Sequence, residues 1–403
     1  MKKHMILMAS LCTFSTLCAD GAKNNVPVVP RQGEILSDTA PSAYNMPAAI
    51  AVGHKMKDMS MGMDDMSFFV DAAFTYWYIS QEGMRVATNA VLNGTSSHRS
   101  VSGEGFFPNF KYQPGFKVAL GMIAYDEWQY TAGYTWTHTN IHTHGVGSAS
   151  SESSIPANTT TTAAGTPVFI VDDWFFGLVP GTADTVAASS LSSKWNLTMN
   201  IVDLTGGRPF YQGKSFVVSP FGGLELAFIS QHMNVHLTEI SSQVSAIPSQ
   251  PIESKTRSNS WGVGPTAGCQ TMHLLPWDFY ATGKGAFALL YTTYTTLKHT
   301  EDQTATTYNP GPYEFHYHNY HAMRPSASME LGLGWGSYLA DGACYLDFSA
   351  TYEFAVYWAQ NMIRKLVDDY QSIGFGDLVG YNQSAPAADL FTQGLTVTGT
   401  INF

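Results

Sequence analysis

Charge is scarce in this chain. Asp, Glu, Lys and Arg make up 13% of its 403 residues, about half the ~25% usual in soluble domains. Cysteine is scarcer still: four in all, with Cys12 and Cys18 near the N-terminus, so Cys269 and Cys344 cannot form a disulfide framework. Beyond the N-terminal stretch no run reaches the ~18 apolar residues of a spanning helix. Basic residues are outnumbered, giving a formal charge of −11, which argues against a nucleic-acid partner. Aromatic residues (13%) and 36 glycines are plentiful instead, and mean hydropathy is −0.07. A disordered chain lacks such aromatic content. The combination points to one large all-β structure.

Alternation with period two runs far longer than the ~5–6 residues of an average soluble strand. Over 323–335, Met323, Pro325, Ala327, Met329, Leu331, Leu333 and Trp335 alternate with Arg324, Ser326, Ser328, Glu330, Gly332 and Gly334. Over 344–358, Leu346, Phe348, Tyr352, Phe354, Val356 and Trp358 alternate with Asp347, Ser349, Thr351 and Glu353. Over 128–139, Trp128, Tyr130, Tyr134 and Trp136 alternate with Gln129, Thr131, Thr135 and Thr137. A strand crossing lipid needs about 9–11 residues, apolar outward and polar toward a wet interior, with aromatic girdles at both ends.

The same pattern predicts ten strands: 67–79, 106–123, 128–139, 194–205, 215–231, 259–272, 278–294, 322–336, 343–358 and 389–403. Their connections alternate between long (80–105, 140–193, 232–258, 295–321, 359–388) and short (124–127, 206–214, 273–277, 337–342). Long external loops and short periplasmic turns are the habit of outer-membrane barrels. The expectation is a transmembrane antiparallel up-and-down β-barrel of about ten strands (10–12), in the bacterial outer membrane. Leu395, Val397, Gly399, Ile401 and Phe403 share one face of the last strand, like the C-terminal signal read by barrel assembly machinery.

Lys2 and Lys3 precede an apolar stretch from Met5 to Cys18, the pattern of a secretory signal peptide cleaved after Cys18 or Ala19. Residues 1–19 are therefore read as the signal, 20–66 as a flexible Met-rich periplasmic leader, and 67–403 as the barrel. His54, Met56, Met59, Met61, Met63 and Met66 in that leader have the chemistry for a soft ion such as Cu(I), though a flexible periplasmic leader is the plainer account of them.

Trp195-Asn-Leu-Thr-Met-Asn-Ile-Val-Asp-Leu, Gly207-Arg-Pro-Phe-Tyr and Pro220-Phe-Gly-Gly-Leu resemble the Legionella-type major outer membrane protein family. Arg324-Pro through Leu333-Gly-Trp335, Tyr352-Glu-Phe through Tyr357-Trp358, and Gln393-Gly-Leu-Thr-Val extend the resemblance over about 68–403. It implies a pore-forming barrel of Gram-negative outer membranes, also found in chlamydia-like bacteria. It carries over no ligand site.

Inward parity assigns Asp71, Lys117, Glu225, Lys284, Arg324, Glu330, Asp347 and Glu353 to the lumen, where charge sets selectivity. That inventory favours cations mildly and makes a porin-like channel for small hydrophilic solutes or ions the leading function. At ten strands the charges can instead pair across a narrow interior, since barrels of about eight strands fill with side chains and open porins use about 16–18. Pro167 to Gly177 is apolar enough to be a lumen constriction or a further strand. Ile363, Leu366, Val367 and Tyr370 have helical spacing at the outer mouth.

His138, His142, His144, His232, His236, His299, His316, His318 and His321 all fall at predicted external strand ends. His316, His318 and His321 make a speculative metal group; a solvated interfacial ring is the plainer account. Enzymatic motifs fail: Met233 replaces the Glu a zincin needs between His232 and His236. An omptin-like protease using Asp172, Asp173, Asp302 and rim histidines is the remote alternative, and a structural or adhesin barrel the nearer one. No cofactor is implied; lipid, the assembly machinery, small solutes and a second copy of the chain are the partners implied.

Overall fold

The computed structural model describes residues 66–403 except 96–97, 125, 147–166, 172–185, 214, 242–250, 303–311, 340–343, 364 and 367–386. The segments read as signal and leader, apart from Met66, lie outside the described residues, as do Asp172, Asp173, Val367 and Tyr370. Strands β1 (Ser67–Gln81), β2 (Ala87–Thr95), β3 (His98–Phe106), β4 (Tyr112–Ile123) and β5 (Gln129–Val146) come first. Next are β6 (Pro167–Val171), β7 (Val186–Gly207), β8 (Tyr211–Gln212), β9 (Phe216–Ser241) and β10 (Ile252–Leu274). The last are β11 (Phe279–Asp302), β12 (Tyr313–Tyr317), β13 (Tyr320–Leu339), β14 (Cys344–Asn361) and β15 (Ala388–Asn402).

Ten of these form a closed antiparallel ring in the order β1, β4, β5, β7, β9, β10, β11, β13, β14, β15, with β15 pairing back onto β1. Phe68 and Phe403 exchange both backbone hydrogen bonds at 2.8 and 2.9 Å, so the ring closes at the C-terminal residue. The short turns and the barrel's two chain ends share one rim. The tightest turns use left-handed backbone at Glu127, Trp277 and Asp278.

Five short strands, β2, β3, β6, β8 and β12, lie in connections that the alternation left as loops. β2 and β3 pair as a hairpin, β6 bridges β2 to β7, and β12 pairs with β11. The predicted strand 106–123 is accordingly corrected to β4 alone, which starts at Tyr112. Of the stretch 167–177, Pro167–Val171 forms a further strand, β6, and 172–177 lie outside the described residues.

Lipid-facing aromatic residues ring the barrel at two levels. Phe68, Trp128, Tyr130, Phe279, Trp335, Phe348 and Phe403 are exposed toward the short-turn rim, and Tyr76, Phe228, Trp261 and Tyr291 at the other. Between them sit Val70, Phe74, Leu120, Leu204, Leu224, Leu331, Leu333, Leu395, Val397 and Ile401, all exposed. In water such a band would be prohibitive; in hydrocarbon it is the stable face.

The strands overrun this band. β9 has 26 residues, which at about 3.3 Å per residue and a tilt of about 40° span about 65 Å, against an apolar band of about 25 Å. Above the band the amphipathic phase flips. On β7 the outward series Leu204, Val202 gives way to Asn200, Thr198, Asn196 and Lys194, while the inward series Asp203 gives way to Ile201, Met199, Leu197 and Trp195. On β9 the outward Leu224 and Phe228 are followed by Ser230, His232, Asn234 and His236, and the inward Glu225 by Ile229, Met233, Val235 and Leu237. The β7–β9 pairing crosses this level without a register shift.

Two inward glycines let neighbouring strands approach. A Cβ at Gly223 would collide with the Leu204 carbonyl, and one at Gly264 with the Leu289 carbonyl, whereas a Cβ at Gly285 meets nothing within 4 Å. Gly264→Ala should cost about 1–3 kcal/mol, as overpacking does, and Gly285→Ala should cost almost nothing. The temperature at which the folded band disappears on an unboiled gel measures both.

Candidate functional site

The membrane half of the lumen holds a cavity of about 400 Å³. Asp71 on β1, Lys117 on β4, Glu225 on β9, Lys284 on β11, Glu330 on β13, and Asp347 and Glu353 on β14 all line it. Asp203 on β7 and Arg208 in the following turn join them. Six carboxylates thus face three cations.

The sheet register sets the charges in rows. Lys284 pairs with Glu330, and Glu330 with Glu353; Asp203 pairs with Glu225. Across the lumen, Lys117 Nζ meets Glu353 Oε2 at 2.5 Å and lies 5.0 Å from the Trp77 ring centroid. Lys284 lies 5.3 Å from the centroid of Phe221. Ser326 donates to Glu225 at 3.2 Å, and Tyr280 donates to Asp347 at 2.6 Å. Asp71 Oδ1, Asp347 Oδ2 and Glu353 Oε1 are buried acceptors with no donor among the described residues. Orphan acceptors are costly in a dry core and cheap in a wet one. The chemistry is that of an acid-rich cavity whose free acceptors suit water.

Asp203 was hidden from pattern reading. It shares parity with Trp195, Leu197, Met199 and Ile201, and an apolar parity reads as lipid-facing. The cross-strand neighbour Glu225 is the structural signal, and it exists only once β7 and β9 are paired.

Arg324 faces inward but does not line this cavity. It sits in the loop-side half, where its Nε donates to Tyr294 Oη at 3.1 Å and Nη2 contacts Met362 Sδ at 3.1 Å. There an apolar cluster packs among buried polar side chains such as Gln231, Thr256, Ser258 and Glu301. Ile79, Met84, Leu191, Trp195, Leu197, Met233 and Leu237 are all buried, and Phe110 packs edge-on against Trp195 at 5.5 Å. Of the expected helix at the mouth, the described residues show one turn directed inward: Leu366 N–H bonds the Met362 carbonyl at 2.9 Å, and Ile363 and Leu366 are buried. Asn361 Oδ1 caps it through Ile363 N–H at 2.9 Å, and Asn361 Nδ2 donates to the Glu82 carbonyl at 2.7 Å. Gln360 adds a bond to Ser260 at 2.8 Å.

The histidines separate into two sets. His299 is inside, buried, hydrogen-bonded to Thr256 at 2.8 Å and Glu301 at 3.0 Å. His138, His232, His236 and His316 lie on the outer wall above the girdle. His316 and His318 rings are 4.4 Å apart, but His321 is held elsewhere, by Thr293 at 3.0 Å and a stack on Tyr291. Among the described residues no three His, Cys, Asp or Glu side chains gather to hold a metal, so the grouping of His316, His318 and His321 is corrected: adjacency along the chain does not bring all three together. Cys269 and Cys344 are free thiols on non-adjacent strands.

Closed ring, lipid-facing apolar band and charged lumen define an outer-membrane β-barrel. The chain belongs to the family of the Legionella pneumophila major outer membrane protein precursor, whose model matches residues 67–402. Among solved structures, the Escherichia coli outer membrane protease OmpT is similar at 10% identity and a TM-score of 0.36, over 86% of this chain and 99% of that one. A Pseudomonas aeruginosa FadL homologue aligns at 7% identity and 0.20 over 84% and 90%. The Ralstonia pickettii toluene transporter TbuX aligns at 10% and 0.17 over 88% and 93%. No curated protein matches the sequence.

His232 lies above the membrane band, where partial burial and the neighbouring Arg257 lower its pKa. A group so shifted is more fully neutral at pH 7 than an ordinary histidine of pKa ~6.5. Its NMR titration midpoint should fall below that value, and Arg257→Gln should raise it.

Proposed function

We propose that this barrel is a narrow, porin-like outer-membrane channel for small hydrophilic solutes or ions, with the acid-rich cavity favouring cations and the loop-side apolar cluster acting as a seal that limits passage. The carrying observation is the charged cavity itself: a structural cylinder has no need of six carboxylates in its membrane half. Hydrophobic constrictions that gate by dewetting are a known channel device, and the apolar cluster has that composition. The same proposal includes export through a cleaved signal peptide, residues 1–19, and insertion directed by Leu395, Val397, Ile401 and Phe403, which face outward on the closing strand.

The seal also favours a second reading, a structural envelope barrel with little transport. A protease reading draws no support, because His138, His232 and His236 lie on the outer wall rather than at the mouth.

Purified protein in planar bilayers should give small single-channel steps with cation preference, and total absence of steps would sink the channel reading in favour of the structural barrel. Replacing Asp71, Asp347 and Glu353 by their amides should reduce cation preference without abolishing current. Ile363→Ser with Trp195→Ser should raise conductance severalfold by wetting the seal. Unchanged conductance in that double variant would show that the seal does not control passage.

A further inference from the structure

The loop-side outer wall of β7, β9, β10 and β11 carries a concentration of cations in an otherwise acidic chain. Cross-strand pairing places His232 beside Arg257, Arg257 beside Lys298, and Lys298 beside His316. In the row above, Lys255 is separated from Lys194 by only one residue of β9, Asn234. The side chains between these along the strands, Met233, Thr256, Ser258 and Leu297, are buried inside the barrel, so the cations point away from it. Lys194, Lys255 and Arg257 are exposed. Lys255 is shared with Glu253 at 2.8 Å and Lys298 with Glu314 at 2.7 Å. Lys194 and Arg257 have no carboxylate partner among the described residues.

Height relative to the membrane gives the patch its meaning. Trp261 marks the loop-side girdle, and Arg257 is four residues further along β10. At about 3.3 Å per residue and a tilt of about 40°, Arg257 stands about 10 Å above Trp261 along the normal. The headgroup layer occupies about 5–8 Å beyond the hydrocarbon on each side, and long basic side chains reach back toward it. Free cations directly above an aromatic girdle are complementary to anionic headgroups, whereas a soluble ligand would have no reason to require that level.

We infer that this wall is a docking face for phosphate-bearing lipid headgroups of the external leaflet, with Arg257 and Lys194 as the free phosphate-binding cations and Lys255, Lys298 and the adjoining histidines as flanking donors. Bidentate Arg–phosphate contact suits Arg257 to the central position. The inference is independent of whether the lumen conducts.

Native mass spectrometry of the full-length, detergent-purified barrel tests it, with a bisphosphorylated glycolipid and its dephosphorylated form as probes. The phosphorylated lipid should be retained preferentially, and Arg257→Gln and Lys194→Gln should each weaken retention about fivefold. Lys111→Gln, a cation outside the cluster, should leave it unchanged, and heat-modifiable gel migration verifies that each variant is folded. Equal retention of the two lipids, undiminished binding by folded Arg257→Gln and Lys194→Gln variants, or complete displacement by millimolar inorganic phosphate would each overturn the proposal.

Discussion

In hydrocarbon no water is available to an unpaired backbone N–H or C=O, and each one left open costs several kcal/mol. A sheet can meet that requirement only by closing on itself. Closure here depends on the pairing of β1 with β15, which runs from Phe69 opposite Asn402 to Gln81 opposite Leu390. The low charge of the chain follows from the same requirement, because half of the side chains within the band must face lipid and are drawn from Phe, Leu, Val, Tyr and Trp.

A ten-strand ring is narrow, so its interior has to be filled or wetted within one cross-section. This barrel divides the two solutions along its axis. Inside the band, Asp71, Asp203, Glu225, Glu330, Asp347 and Glu353 surround a cavity, their charge only partly offset by Lys117 and Lys284. Beyond the band the wall is bathed by water on its outside, so hydrophobic burial drives Trp195, Leu197, Met233, Val235 and Leu237 into the interior as in a soluble barrel. The Arg324–Tyr294 and Asn361–Glu82 contacts then fix the helical turn against that interior.

Much of this was legible from period-two alternation alone: all ten ring strands, the alternation of long and short connections, and the closing C-terminal strand. The seven lumen charges around the cavity were legible because on their strands the opposite, outward parity is apolar within the band. What was not legible has two sources in β7, β9 and β10. Predicted segment 215–231 stops near Ile229, where outward residues turn polar and the apolar series Ile229, Met233, Val235 and Leu237 moves inside, so a reader following one phase sees the strand end. Predicted segment 259–272 stops near Trp261, beyond which both faces of β10 are polar, with Ser254, Thr256, Ser258 and Ser260 inside and Lys255, Arg257 and Asn259 outside. The inversion on β9 recurs on β7, where it exchanged the faces and hid Asp203. Arg324 was assigned its correct direction but not its level, because parity reports which side of a wall a residue faces and nothing about depth.

The inversion also fixes where the barrel rides in the membrane. Sliding it outward would lift Leu204, Leu224 and Phe228 from lipid into water; sliding it inward would push Asn200, Ser230, Asn259 and eventually Arg257 into hydrocarbon, where a charged side chain costs about 2–4 kcal/mol at the midplane. Both displacements are opposed by side chains on the same strands, only two residues apart. The depth is therefore set by the sheet wall itself, so the histidine- and lysine-bearing rows above Trp261 are held at a constant level. A cation on a mobile loop samples many depths and meets headgroups only part of the time. One on a rigid wall, two rows above a girdle, stays at the level where anionic headgroups lie, which is why the outer wall rather than the loops is the part of this molecule suited to reading the lipid around it.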